Sequence, residues 1–191
     1  ENIYPTSSAK HNVVCDYFGP DIVNKLPVHL KFDAITAQNV FAHNPNPLEF
    51  LQICSKLMDE HTHLFIQTSQ ADMILNNEFD TIYHEHFSYL SLHTVTHIFA
   101  AAGLRVWHVE ELSTHGGSLR VYGCHIDDPR DATDALNAVL DEEVRRGMQT
   151  LIPYAGFQLR ADRIKNDLLE FLISVKKEGK SIAAYGAAAK G

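Results

Sequence analysis

Apolar runs that alternate with helical stretches constrain this chain more than any other feature. Residues 12–18, 32–37 and 63–67 are short and rich in β-branched or aromatic residues. Between them lie two helical signals. Residues 20–26 start near Pro20 and stop at Leu26-Pro27, and from 48 to 58 the apolar residues Leu48, Leu51, Ile53, Cys54, Leu57 and Met58 recur at helical spacing. Strands separated by helices of this length predict right-handed βαβ units on a parallel sheet. The pattern then changes. Residues 69–77 read as a weak helix, and 79–91 are aromatic and histidine-rich with no clean period. Residues 94–102 read as a helix ended by Gly103. Residues 104–111 and 119–126 predict an antiparallel hairpin with a wide glycine turn.

Asp127-Asp-Pro-Arg130 is a polar break and the expected domain boundary, giving units over 1–127 and 128–191. Two helices are expected beyond it, over 132–150 and from Pro153 to about Glu178, where Gly179 ends the second. Residues 181–185 read as a buried strand, and 186–191 as a small-residue turn. Helix, strand and glycine turn in that order resemble the opening of a second Rossmann-like unit. The charged run Asp141-Glu-Glu143 with Arg145-Arg146 reads as a solvated helix face.

The formal charge of -8 on 191 residues argues against a nucleic-acid partner, which needs a basic face. It leaves room for an anionic small ligand held by a few local donors. Cys15, Cys54 and Cys124 are scattered with no C-x-x-C pair, so neither a zinc site nor a disulfide framework is expected. Scattered thiols fit a reducing cytoplasm, and no apolar run reaches the roughly 20 residues of a membrane helix. The chain opens at Glu1 without a methionine and stops at Gly191 within a turn, as a piece of a longer protein would. Nothing in the sequence sets an oligomeric state.

The densest chemistry lies in Phe79-Asp-Thr-Ile-Tyr-His-Glu-His-Phe-Ser-Tyr89, where a phenol, two imidazoles and a carboxylate occupy Tyr83 to His86. Polar groups among Phe79, Ile82 and Phe87 are costly to bury unless paired, which points to a cleft that tunes their protonation. On the residues alone, acid–base use and a satisfied polar loop both remain open. His84-x-His86 resembles a metal pair, but no third ligand is spaced to complete it, so no metal is expected.

That string resembles the signature of the S-adenosylmethionine (SAM) dependent sugar C-methyltransferases, which act at C3 of nucleotide-linked 4-keto-deoxysugars. Two further segments, Glu111-Leu-Ser-Thr-His-Gly-Gly-Ser-Leu-Arg-Val-Tyr122 and Ala184-Tyr-Gly-Ala-Ala-Ala-Lys-Gly191, resemble the family in the right order, and Asn39-Val-Phe-Ala-His43 resembles the loop after the fourth strand of its SAM domain. The resemblance implies an α/β fold. It would be the C-terminal half of a class I, Rossmann-like SAM methyltransferase sheet with an antiparallel hairpin, followed by helices and the start of a second Rossmann-like domain. Complete members begin with a small cysteine-rich zinc domain, which this chain lacks. The glycine-rich SAM loop is expected ahead of Glu1, since no G-x-G-x-x-G follows a strand here.

The resemblance also implies roles. His86 matches the base that removes the proton α to the ketone, Tyr83 is placed to donate to the developing oxyanion, and Glu85 to orient His86 or a sugar hydroxyl. His43 falls at the C-terminal end of a parallel strand, where α/β sheets bind ligands; a solvated loop histidine is its plainer reading. Asp16, Tyr17 and Phe18 match the adenine contacts, with core packing the alternative for the aromatics, and Ala37 and Asn39 border the methionine end of SAM. His115 and Gly116 are implied for the substrate through backbone N–H groups, with a plain hairpin turn the alternative. Tyr185, Gly186 and Lys190 are implied for the nucleotide diphosphate, with tight strand–helix packing the alternative. The expected partner is a nucleotide-sugar, with no nucleic acid and no membrane. The runner-up readings are an O- or N-methyltransferase of another small molecule, and a non-catalytic fragment.

Overall fold

The computed structural model describes residues 11–27, 30–79, 82 and 84–186. A short helix α1 (Ile22–Lys25) precedes β1 (Ala34–Gln38) and a 3-10 turn (Phe41–His43). Then come α2 (Pro47–Leu57), β2 (His63–Ser69), the short α3 (Asp72–Leu75), α4 (Leu92–Ala101), β3 (Leu104–Leu112) and β4 (Ser118–His125). Two helices, α5 (Asp134–Arg145) and α6 (Phe157–Lys177), complete the described chain.

The sheet order is β1-β2-β4-β3. β1 and β2 are parallel across the α2 crossover, Ala34 opposite His63 and Gln38 opposite Gln67. β4 runs antiparallel to both β2 and β3, and a register shift between Val106 and His108 marks a bulge in β3. The parallel unit and the terminal hairpin are those expected from the sequence.

Local chemistry explains the helices that bound the site. Asn46 caps α2 by accepting from Glu49 N at 3.2 Å, and Pro47 occupies the first turn, where its missing N–H costs nothing. Ser91 caps α4 by accepting from Thr94 N at 3.1 Å, and Gly103, at φ 75°, ends it. Leu92, Val95 and Phe99 form the buried stripe of α4, spaced to share one helix face.

Pairing and alternation divide the sheet into two faces. Leu64, Gly123 and Val106 lie in one cross-strand row, and Ile66, Val121 and Val109 in the next. These rows join Phe50, Leu51, Cys54, Phe99, Leu136 and Val139 in a single core. Phe65, Tyr122 and His108 form a row on the other face, with Phe65 and Tyr122 edge-to-face at 4.9 Å. Arg130 lies over Trp107 there, 5.4 Å from the ring centroid.

Several expectations need correction. Residues 12–18 form no strand; they run as irregular chain, and no ladder bonds reach them. The apolar run 181–185 is likewise irregular and exposed, with Tyr185 fully open to solvent. A strand exists only where a neighbour accepts its N–H groups and donates to its carbonyls, and among the described residues neither segment has one. Residues 127–130, the expected boundary between units, are held by several bonds. Asp128 Oδ1 accepts from Arg130 N at 2.9 Å, Arg105 donates to Asp128 O at 2.8 Å, and Thr133 N donates to Trp107 O at 2.9 Å. Beyond that loop, α5 lays Leu136 and Val139 into the same core. Nor is the 141–146 run wholly solvated, because Glu143 is only 1% exposed.

Candidate active site

Two backbone devices build the site at the C-terminal ends of β1 and β2. Asn39, at φ 53°, turns the chain out of β1 while its N–H donates to Gln67 O at 3.0 Å. Asn tolerates this left-handed conformation better than most residues. The following 3-10 turn buries Phe41 against Phe50, ring centroids 5.7 Å apart, which fixes His43 at its end.

From the other side, Gln70 and Leu90 form an isolated parallel bridge, and Ala71 N donates to Leu90 O at 3.0 Å. Between them in sequence, Phe87 N and Ser88 N donate to Ala42 O at 2.9 and 3.3 Å. These anchors bring His86 onto His43, edge-to-face with centroids 4.6 Å apart and planes at 76°. Tyr89 stands 5.8 Å from His86 on its other side. Both histidines are half-buried, so each keeps contact with solvent or ligand while packed on a neighbour.

The hairpin turn reaches the same edge, since Gln70 N donates to Gly117 O at 3.3 Å. Gly116 and Gly117 have φ 78° and 113°, conformations that favour glycine. His115 lies in the 3-10 turn Thr114–Gly116, and Ser118 Oγ closes it by donating to Thr114 O at 2.9 Å.

The remaining expected residues are distributed less tightly. Glu85 is exposed beside His84 on a turn, rather than packed with His86. Tyr83 and Lys190 lie outside the described residues. Ala37 is buried in the core, so its methyl group serves packing. Phe18 packs on Phe50 at 4.8 Å, and Tyr17 is 92% exposed. Asp16 borders a mainly apolar cavity of about 310 Å³ beside Ala34, Ile35 and Leu57. Its hydrogen bond from Lys25, aided by Tyr17 N–H at 2.8 Å, holds its carboxyl below the usual range. Tyr185 and Gly186 follow α6 in exposed chain, and nothing in the described structure joins them to the histidine pair.

Sequence reasoning left Tyr89 and Gln70 without a role although both border the site. Tyr89 was inside the quoted motif; Gln70 carried no signal, because its place depends on the bridge to Leu90. Among the described residues, no group of three His, Cys, Asp or Glu side chains converges as a metal site would. Nor is any described helix long and apolar enough to cross a membrane.

A parallel pair joined through α2, closed by an antiparallel hairpin, with a histidine pair at the C-terminal strand edge, defines the class: half of a class I methyltransferase sheet. Comparison with known proteins agrees. Residues 5–109 match the family described as methyltransferase domain, and residues 113–191 the C-methyltransferase C-terminal domain. The chain belongs to the methyltransferase-domain family. It is 34% identical over 158 residues to the C-methyltransferase NovU of Streptomyces niveus, an alignment covering 82% of this chain and 38% of NovU. The chain thus spans well under half the length of that curated relative. Among solved structures, it is 16% identical to NcsB1, an O-methyltransferase from neocarzinostatin biosynthesis in complex with S-adenosyl-L-homocysteine and 1,4-dihydroxy-2-naphthoic acid. That match has a TM-score of 0.46 over 65% of this chain and 37% of the other. Magnesium protoporphyrin IX methyltransferase (ChlM) from Synechocystis PCC 6803 matches with 13% identity and a TM-score of 0.39, over 49% of this chain and 44% of the other.

Proposed function

We propose that this chain carries the catalytic segment of a SAM-dependent C-methyltransferase acting at C3 of a nucleotide-linked 4-keto-deoxysugar. The observation that carries the reading is the His43–His86 pair at the C-terminal strand edge, inside the segment that resembles the sugar C-methyltransferase signature. A C3 proton α to a ketone is too weakly acidic to leave without a positioned base. His86 takes that proton, and His43, packed on its ring, fixes the imidazole's orientation. Tyr83 donates to the oxygen on which charge develops, and Glu85 meets a sugar hydroxyl from the solvent side. When bound, SAM would give its methyl group to the enolate carbon, the S–CH3 bond breaking as the C–C bond forms and S-adenosylhomocysteine leaving.

The chain offers only part of the SAM site. Asn39, whose backbone bends at the strand edge, fits the methionine end, and the hairpin turn at Gly116 and Gly117 allows close backbone approach. Asp16 fits less well, because Lys25 already engages its carboxylate. Tyr185, Gly186 and Lys190 are assigned to the nucleotide in the second unit. Three free thiols accord with a cytoplasmic setting.

The test is solvent-deuterium exchange at C3 of the keto sugar in the complete protein without SAM, which reports proton removal alone. His86→Asn is expected to slow exchange by about 10²–10⁴-fold, the usual worth of a general base. Undiminished exchange would pass the base role to His43.

A further inference from the structure

The catalytic segment is gripped at both ends by a part of the chain that follows the sheet. Ahead of it, Arg146 pairs with Asp72 at the start of α3 and donates to Asn76 Oδ1 at 3.4 Å. Arg160 Nε donates to Asn77 Oδ1 at 2.7 Å, and Phe157 packs on Phe79 with ring centroids 5.0 Å apart. Behind it, the two carboxylate oxygens of Glu143 accept from Leu92 N and His93 N at 2.5 and 2.8 Å. Gln149 reaches the ring of His93 at 3.2 Å.

A carboxylate placed on the first N–H groups of α4 satisfies donors that the helix cannot satisfy itself, and charge-assisted bonds of this kind are the strong ones. Glu143 is almost completely buried, and Asp72 and Arg146 are largely so. Water therefore competes weakly for the Glu143, Asp72–Arg146 and Arg160–Asn77 contacts, while the Arg146–Asn76 and Gln149–His93 bonds lie at the surface. The two grips lie before and after residues 84–90, the described stretch that sets His86 against His43.

We propose that Glu143, Arg146 and Arg160 are positioning residues: the end of α5, the connection after it and the start of α6 fix both ends of the catalytic segment and so hold His86 against His43. The gripping residues fall in the region that matches the C-methyltransferase C-terminal domain, and the gripped residues in the region that matches the methyltransferase domain. The kinetic part of this inference rests on the function proposed above; the structural part does not.

Two measurements on the complete protein separate them. Hydrogen–deuterium exchange of the Phe87 and Ser88 amides reports whether the segment stays docked on Ala42. Glu143→Gln, nearly isosteric, puts an NH2 group against one of the two N–H donors. Arg146→Met keeps the aliphatic stem and removes the ion pair at the opposite end, so either variant alone can test the grip. Each is expected to speed exchange of those amides by about tenfold while β2 and β4 stay protected. Each should also lower kcat by about 10–100-fold with KM for SAM within about twofold, as loss of alignment at a reacting centre does. Exchanging the charges, Asp72→Arg with Arg146→Asp, should restore much of both. Unchanged amide exchange overturns the proposal. So does loss of protection across the whole sheet, which would make the contacts merely structural. If the amides respond while the wild-type protein neither exchanges nor methylates the keto sugar, the grip stands and the substrate reading falls.

Discussion

Gly123→Ala sets two opposite effects against each other. Gly123 lies mid-strand in β4 between Leu64 and Val106, with an ordinary strand backbone. On conformational entropy alone, alanine there should stabilise by about 0.5–1 kcal/mol. Space says otherwise. An added Cβ would lie 2.5 Å from Phe99 Cε1, 3.1 Å from Leu64 Cδ2 and 3.3 Å from Phe99 Cδ1. Carbon atoms pack best at about 3.5–4.0 Å, so the ring must retreat by about 1 Å. Phe99 is fully buried, so its retreat would push on neighbouring core side chains. Overpacking of this kind costs about 1–3 kcal/mol, and set against the entropic gain it leaves the variant about 1 kcal/mol less stable at the middle of both ranges. Urea unfolding measures the change directly. Phe99→Leu, which shortens the offending ring, should recover part of it in the double variant, with a coupling energy of about 1 kcal/mol. A Gly123→Ala protein as stable as the wild type, or strict additivity with Phe99→Leu, would refute the reasoning.

Other outcomes follow from single features. Asn39→Gly should leave stability within about 0.5 kcal/mol, whereas Asn39→Val should cost about 1–2 kcal/mol at the same left-handed position, both read by chemical denaturation. Burial raises the Glu143 carboxyl above 4.5 despite the N–H groups of His93 and Leu92, which pull it down. Between 4.5 and that raised value the folded protein keeps a proton that the unfolded chain has released. Stability from this group is therefore complete below 4.5 and is lost as pH rises through the folded value; Glu143→Gln should flatten that part of a pH–stability curve. Burial pushes the Cys54 thiol up to about 12, while Cys15 is exposed. An aromatic disulfide reagent at neutral pH should titrate Cys15 in the native protein and reach Cys54 and Cys124 only after denaturation.

The helices and the sheet were legible because their signals are local: a cap, a proline and an apolar stripe in α2, a serine cap and Gly103 around α4. The apolar runs 12–18 and 181–185 carried the same strand signal and gave none, because pairing is a property of neighbours, which sequence periodicity does not contain. Glu143 was read as part of a solvated face because Asp141, Glu142, Arg145 and Arg146 surround it. Its spacing from Leu136 and Val139 puts it on the buried stripe, a cue that the charge run obscured. Of the candidate residues, His86 was named from the cluster and His43 as a separate loop histidine. That His43 and His86 touch depends on Asn39 turning the chain and on Ala42 O accepting two N–H groups from the segment, contacts between stretches far apart in sequence.

The sheet order also has a consequence in time. β3 and β4 are joined by a short turn and form a local hairpin, which closes in microseconds. β2 finds its place only when Leu64 meets Gly123 and Ser69 meets Ser118, pairings that close a long loop and form slowly for that reason. The histidine segment lies inside that loop. The docking of Phe87 and Ser88 on Ala42, which sets His86 against His43, therefore depends on the central pairing that closes the loop.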